Sequence, residues 1–163
     1  MRHALTVAAA IVLSAALPAA AQNAGQIASV RNGANCAGCN LFQADLAGAQ
    51  LKGRNFARAR LRQADMSLGV FNRSRFAGAD MRDVNAYGAL FSSADFGGAD
   101  LTNASFVGTY LQGANFAGAT LSGANFSGAE MDRARGLTQA RLNQACGDEA
   151  TALPAGMNIP RCR

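Results

Sequence analysis

Two cysteines three residues apart, in Cys36-Ala37-Gly38-Cys39, are the residues best placed to do chemistry in this chain. A C-x-x-C exchanges disulfides when a helix N-terminus stabilises one thiolate, usually beside a βαβ unit. The same spacing suits a structural disulfide, or half of a metal site whose other ligands come from elsewhere. Other catalytic sets are missing. The one histidine is His3, so the chain after it has no imidazole base, no Ser-His-Asp triad and no histidine metal ligand. The carboxylates are spread singly, as at Asp45, Asp65, Asp80, Asp95 and Asp100. Pairs twenty residues apart, Asp45 with Asp65 and Asp80 with Asp100, could stack and hold a hard cation. The plainer role is making corner hydrogen bonds in solvent. The glycines form no phosphate loop between a strand and a helix. The residues thus predict no enzyme, no cofactor and no metal site, with thiol-disulfide exchange at Cys36 and Cys39 as the alternative.

The second chemical feature is charge. The formal net charge is +5, and Lys52, Arg54, Arg58, Arg60, Arg62, Arg73, Arg75 and Arg82 fall within 31 residues. No Lys or Arg occurs between Asp83 and Asp132. Lys52, Arg58, Arg62, Arg73 and Arg82 form a candidate strip for an anion or partner, centred on Arg62 and Arg82, which have no acid directly between them. Arg60 with Asp80, and Arg75 with Asp95, are expected to pair across neighbouring chain segments. Surface aromatics are not interleaved with these arginines, which argues against single-stranded nucleic acid. Phe42, Tyr87 and Tyr110 read as exposed aromatics scattered singly.

What must position these residues is an unusual period. From Cys36 to Met131 an apolar residue recurs at every fifth position, twenty times, with a small residue two places before nearly every one. Five is the period of neither an α-helix nor a flat strand. A short fixed period points to a solenoid, in which each repeat is stable only against its neighbours. The unit is plain in Ala94-Asp95-Phe96-Gly97-Gly98-Ala99-Asp100-Leu101.

This run, roughly residues 34–134, resembles the pentapeptide-repeat family with its A(D/N)LXX consensus. The resemblance implies a right-handed quadrilateral β-helix, an all-β solenoid with four pentapeptides to a coil. Twenty units would make five coils, a rod ~24 Å long at ~4.8 Å per coil. Residues twenty apart should then stack. One column reads Phe56, Phe76, Phe96 and Phe116 above Cys36; the next reads Leu41, Leu61, Met81, Leu101 and Leu121. The third is Leu46, Met66, Ala86, Phe106 and Phe126, and the fourth Leu51, Phe71, Phe91, Leu111 and Met131. Like shapes stacked in this way favour close packing. Small residues two places before each centre should also point inward, which would bury Cys39 as well as Cys36. The departures are Cys39, Arg54, Gly69, Ser74, Val84 and Thr109. Val84 is placed to compensate for the undersized Ala86. Arg54 has no compensation, so a local bulge or an outward turn is expected there. Glycines two places after the centre fit corners of unusual backbone angle.

The ends read differently. Residues 1–21 combine a basic start, an apolar run and Ala19-Ala20-Ala21, the pattern of a secretory signal peptide cleaved before Gln22. A periplasmic or secreted protein without a transmembrane segment is expected. Residues 22–33 form a short N-terminal cap segment, and 135–163 a C-terminal helix and capping tail. Thr138 is the expected N-cap of a helix running through Cys146, with Leu137, Ala140, Leu142 and Ala145 on its apolar side. In an oxidising compartment Cys36/Cys39 and Cys146/Cys162 are candidate disulfides at the two ends. These ends resemble those of small exported pentapeptide-repeat proteins from bacteria.

Function is less legible than shape, because the family shares a fold more than an activity. The reading is a non-catalytic exported structural or protein-interaction module. Its partner is an unknown protein or acidic envelope polymer, with an end-to-end homodimer possible by geometry. Some relatives mimic DNA and bind gyrase, but those are acidic along the rod, whereas this chain is basic.

Overall fold

The computed structural model describes residues 22–163; the signal-peptide reading of 1–21 lies outside the described residues. The period of five becomes a solenoid with twenty residues to each circuit. Single-residue parallel bridges join Asn40 to Arg60, Arg60 to Asp80, Asp80 to Asp100 and Asp100 to Thr120. Three further lines of bridges, beginning at Asp45, Gln50 and Asn55, run alongside. From Cys36 to Phe116 each central residue donates its N–H to a carbonyl nineteen residues on, as Phe56 does to Arg75 at 2.7 Å.

One unit explains the spacing. Ala94 and Phe96 point inward and are buried. Asp95 stays outside, and its Oδ1 accepts the N–H of Gly97 at 3.0 Å, closing the local turn. Gly98 takes φ +66, and the next alanine then donates from Ala99 N to the Phe96 carbonyl at 2.9 Å. Left-handed backbone recurs two places after almost every centre, and most of those sites are glycine. Eight are not: Gln43, Arg58, Gln63, Leu68, Arg73, Asp83, Ser93 and Asn103 hold φ between 53 and 60. Such angles cost an L-residue roughly 1–2 kcal/mol each.

All twenty central side chains are buried. Phe56, Phe76, Phe96 and Phe116 stack with ring centroids 5.1, 5.3 and 5.2 Å apart, and Phe71 meets this column edge-on at 6.1–6.4 Å. Leu41, Leu61, Met81, Leu101 and Leu121 fill the second column. Full burial of each such side chain contributes about 1.5–3 kcal/mol.

Most of the irregular inward sites have local explanations. Thr109 donates its hydroxyl to the Phe106 carbonyl at 2.7 Å. Gly69 is glycine because a Cβ there would lie 2.4 Å from the Phe71 ring. Val84 and Ala86 are both buried. At Arg54 the ladder carries no bulge, since the Gln50–Val70 and Asn55–Arg75 bridges flank it in register. The turn itself opens instead. The Ser74 hydroxyl donates to the Leu51 carbonyl at 2.7 Å and accepts the Arg54 N–H at 3.0 Å. The half-buried Arg54 side chain thereby reaches out to the N-terminal cap beside Gly33, where its Nε is shut from solvent without a partner.

Both ends are closed. Helix α1, Ala24–Arg31, is N-capped by Asn23, whose side chain accepts the N–H of Gln26 at 3.1 Å. Its Val30 is fully buried against the first circuit, and Arg31 grips Asp45 at 3.0 Å. At the other end Thr138 caps α2, Gln139–Leu142, a helix of one turn. It does not run through Cys146 as the sequence led us to expect, and Ala140 is exposed. Cys146 instead bridges Asn125, Ala152 bridges Glu130, and Gly147 bridges Arg161. The tail therefore continues the ladder, because the last circuit's unpaired N–H groups need acceptors. Phe126 N donates to the Cys146 carbonyl at 2.8 Å, and Met131 N to that of Ala152 at 2.9 Å. Leu153, Met157 and Ile159 pack partly buried against the core.

Candidate functional site

The cysteines and the cations are separate features. Cys36 and Cys39 face each other across one turn with sulfurs at disulfide distance, 1.96 Å, as do Cys146 and Cys162 at 1.95 Å. Cys36 is buried at the foot of the Phe column, but Cys39 is only partly buried. The difference arises because Cys39 lies at the open corner of the first circuit, with no full circuit beneath it. The pair follows the C-terminal end of α1 rather than opening a helix.

The strip centred on Arg62 and Arg82 is not a free anion site. Arg82 forms a two-pronged bond to Asp80, at 2.7 and 2.6 Å, and stands 3.6 Å from Asp100. Arg62 lies 3.5 Å from Asp83. Both arginines bend sideways to acids that are absent from their own column, which twenty-residue spacing could not reveal. The Arg82 guanidinium, with Arg62 nearby, holds the Asp80 carboxyl below the ordinary carboxylate value, against partial desolvation.

The expected pairs also change. Arg60 stacks on Asp80 and Arg75 on Asp95 through backbone bridges, yet these acids are engaged elsewhere. Asp95 Oδ1 accepts from Gly97 N and from Asn115 Nδ2 at 2.9 Å. The other stacked carboxylates likewise serve turns: Asp65 accepts from Ser67 N at 2.9 Å, and Asp100 from Thr102 N at 3.0 Å.

Lys52, Arg58, Arg60, Arg73 and Arg75 have no ion-pair partner among the described residues. Arg75 stands one place before a centre of the Phe column, Arg58 and Arg73 hold the corners on either side of that column, and Arg60 begins the adjoining side, bridged to Asp80. Lys52 and Arg73 line an open groove of about 380 Å³ with Gly53, Asn72 and Ser92. Sequence reasoning placed Lys52, Arg58 and Arg73 in the site but credited Arg60 and Arg75 with partners they lack.

The surface aromatics are not scattered. Phe42 is half-buried. Tyr110 bridges directly to the exposed Leu90, and Leu90 to Val70. Leu68 lies over Gly88, next to Tyr87, at the adjoining corner. The signal was present in the sequence, since Val70, Leu90 and Tyr110 are twenty apart, one place before a centre.

A family model described as Pentapeptide repeats (8 copies) matches residues 34–73 and 99–135, and a second, Pentapeptide repeats (9 copies), matches 71–114. Together they span residues 34–135. The chain belongs to the pentapeptide-repeat family. Among solved structures of this family, a trypsin-treated QnrB1 variant, a plasmid-mediated fluoroquinolone resistance protein, is 18% identical. It aligns over 78% of this chain and 88% of its own, with a TM-score of 0.43. HetL, from the cyanobacterium Nostoc sp. strain PCC 7120 and involved in heterocyst differentiation regulation, is 22% identical over 63% of this chain, with a TM-score of 0.36. The alignment spans 57% of HetL. Rfr23 from the cyanobacterium Cyanothece 51142 is 18% identical over 79% of this chain and 95% of its own, with a TM-score of 0.36. No curated protein sequence gives a significant match. Pentapeptide-repeat proteins are generally structural or interaction modules. In this one, the outward side chains carry what is individual.

Proposed function

We propose that this pentapeptide-repeat protein is an exported, non-catalytic interaction module that presents the cations of its first circuits to an acidic partner protein or envelope polymer. The observation that carries the reading is the group Arg58, Arg60, Arg73 and Arg75, which cluster on and beside the Phe side in the first circuits and lack ion partners among the described residues. Unpaired cations attract anionic groups. A cluster of unpaired cations is the opposite of what DNA mimicry requires. The rod is read as a right-handed quadrilateral coil of about five turns, with α2 and the tail as its closing cap. Its two cysteine pairs serve as disulfide staples in the periplasm or outside the cell. A staple also fits Cys36 and Cys39 better than redox exchange, because their turn opens no helix.

The test is a pull-down from an envelope fraction using Arg58→Glu combined with Arg75→Glu. Capture of an acidic partner should fall strongly in the variant and with added salt. A set of captured molecules that is unchanged by the substitutions would remove the basic side from consideration.

A further inference from the structure

One side of the rod, outside the column Leu51, Phe71, Phe91, Leu111 and Met131, carries opposite charges that cannot meet on one molecule. Just before these centres run Gln50, Val70, Leu90, Tyr110 and Glu130, joined in succession by parallel bridges. Just after them run Lys52, Asn72, Ser92, Gln112 and Asp132. Their register is fixed by Gly53 N to Asn72 O, Arg73 N to Ser92 O and Ser93 N to Gln112 O, each at 2.8 Å. The side is therefore cationic at one end, apolar to neutral in the middle and anionic at the other. Lys52, Glu130 and Asp132 are exposed and have no ion partner among the described residues; Asp132 accepts only the side-chain amide of Gln112. Four levels separate them, about 19 Å at ~4.8 Å per level.

We infer that this side is self-complementary and joins two copies of the chain in antiparallel fashion. A twofold axis lying in the interface, across the rod at the Leu90 level, sets each column against itself in reverse order. Lys52 then meets Asp132 of the second copy, Val70 meets Tyr110, and Leu90 meets Leu90. The next column supplies the fit in shape: Arg73 comes opposite Gly113, and Arg133 opposite Gly53, so each long side chain faces a residue that has none. Parallel rods would instead place Lys52 opposite Gln50 and Asp132 opposite Glu130, leaving the lysine without an acid and opposing like charges at the other end. The apolar residues at the centre supply the desolvated contact, and the charges at the ends set the direction. A side five levels tall is smaller than the roughly 800 Å² per partner of a standard interface. The association is therefore weak and depends on concentration. It shares Arg73 with the proposed function but uses neither Arg58 nor Arg75, the residues by which that function is tested, so the two can fail separately.

The experiment is analytical ultracentrifugation of the purified protein from micromolar to millimolar concentration. A dimer should grow with concentration and shrink with salt. Lys52→Glu and Asp132→Lys should each weaken it roughly tenfold, because every end contact is made twice. The two combined should restore it, since the pair is merely exchanged. Leu90→Arg should abolish it while leaving the thermal midpoint near that of the wild type, as Leu90 lies outside the core. A protein that stays monomeric throughout overturns the inference. So does a dimer indifferent to both single charge changes, which would point to end-to-end pairing, or a double variant that remains monomeric.

Discussion

The two halves of the rod share one interior and differ outside. Up to Asp83 the positions two places after the centre carry Gln43, Arg58, Gln63, Leu68, Arg73 and Asp83 at positive φ; beyond it only Ser93 and Asn103 do so, and the rest of the positive-φ sites are glycine. Cations follow the same division, with none between Asp83 and Asp132. The first half thus tolerates left-handed backbone at six non-glycine corners to keep side chains there, at roughly 1–2 kcal/mol each. The second half relaxes those corners with glycine. Strain retained at an exposed position is a reason to look for function there, and three of the six residues, Arg58, Leu68 and Arg73, line the surfaces singled out above.

The largest effect should come where the halves are alike. Phe76→Ala and Phe96→Ala remove rings from the same stacked column, both fully buried. Each should cost about 3–5 kcal/mol in denaturant unfolding. A large loss at Phe96 with a small one at Phe76 would break the picture of one continuous interior. A smaller effect should come where the halves differ. Arg58→Gly and Arg73→Gly relieve positive φ, so each should leave stability unchanged or raise it by about 1 kcal/mol while weakening capture of an acidic partner. If either variant is clearly less stable, those arginines support the fold and the contrast between the halves loses its meaning.

The smallest effect concerns acid. Arg82 holds the Asp80 carboxyl below its ordinary value of 3.8, so the folded state binds this proton less readily than the unfolded chain does. The resulting stabilisation is fully present above that ordinary value and is lost as pH falls through the lower folded one. Thermal melts of Asp80→Asn should therefore show a shallower decline below pH 4 than the wild type. Identical acid limbs would mean that this surface pair contributes nothing measurable, as many exposed pairs do.

How far the molecule was legible from sequence depended on the direction of each contact. Stacking along the rod follows from counting by twenty, so Phe56 over Phe76 and Arg60 beside Asp80 were readable in the chain. Sideways contacts were not. Arg82 turns to Asp80 two residues away rather than to a neighbour in its own column, and Asp95 serves Gly97 and Asn115 instead of Arg75. The Arg54 site was readable only as a problem. Its solution, the Ser74 hydroxyl entering the Leu51–Arg54 turn, depends on where one oxygen lies in the next circuit. The apolar line Val70, Leu90 and Tyr110 is countable at twenty-residue spacing, yet each member alone is an ordinary exposed apolar residue, so only the stacking makes it a surface.

By itself the sequence determined the interior: a period of five with small and large apolar residues at fixed places permits one way of filling a narrow tube, because every misplaced side chain would leave a void or a clash. The tertiary structure decided which charges are free and how the ends close. Long polar side chains choose partners over several ångströms in any direction, and the tail finds its place only where the last circuit leaves backbone N–H groups without acceptors.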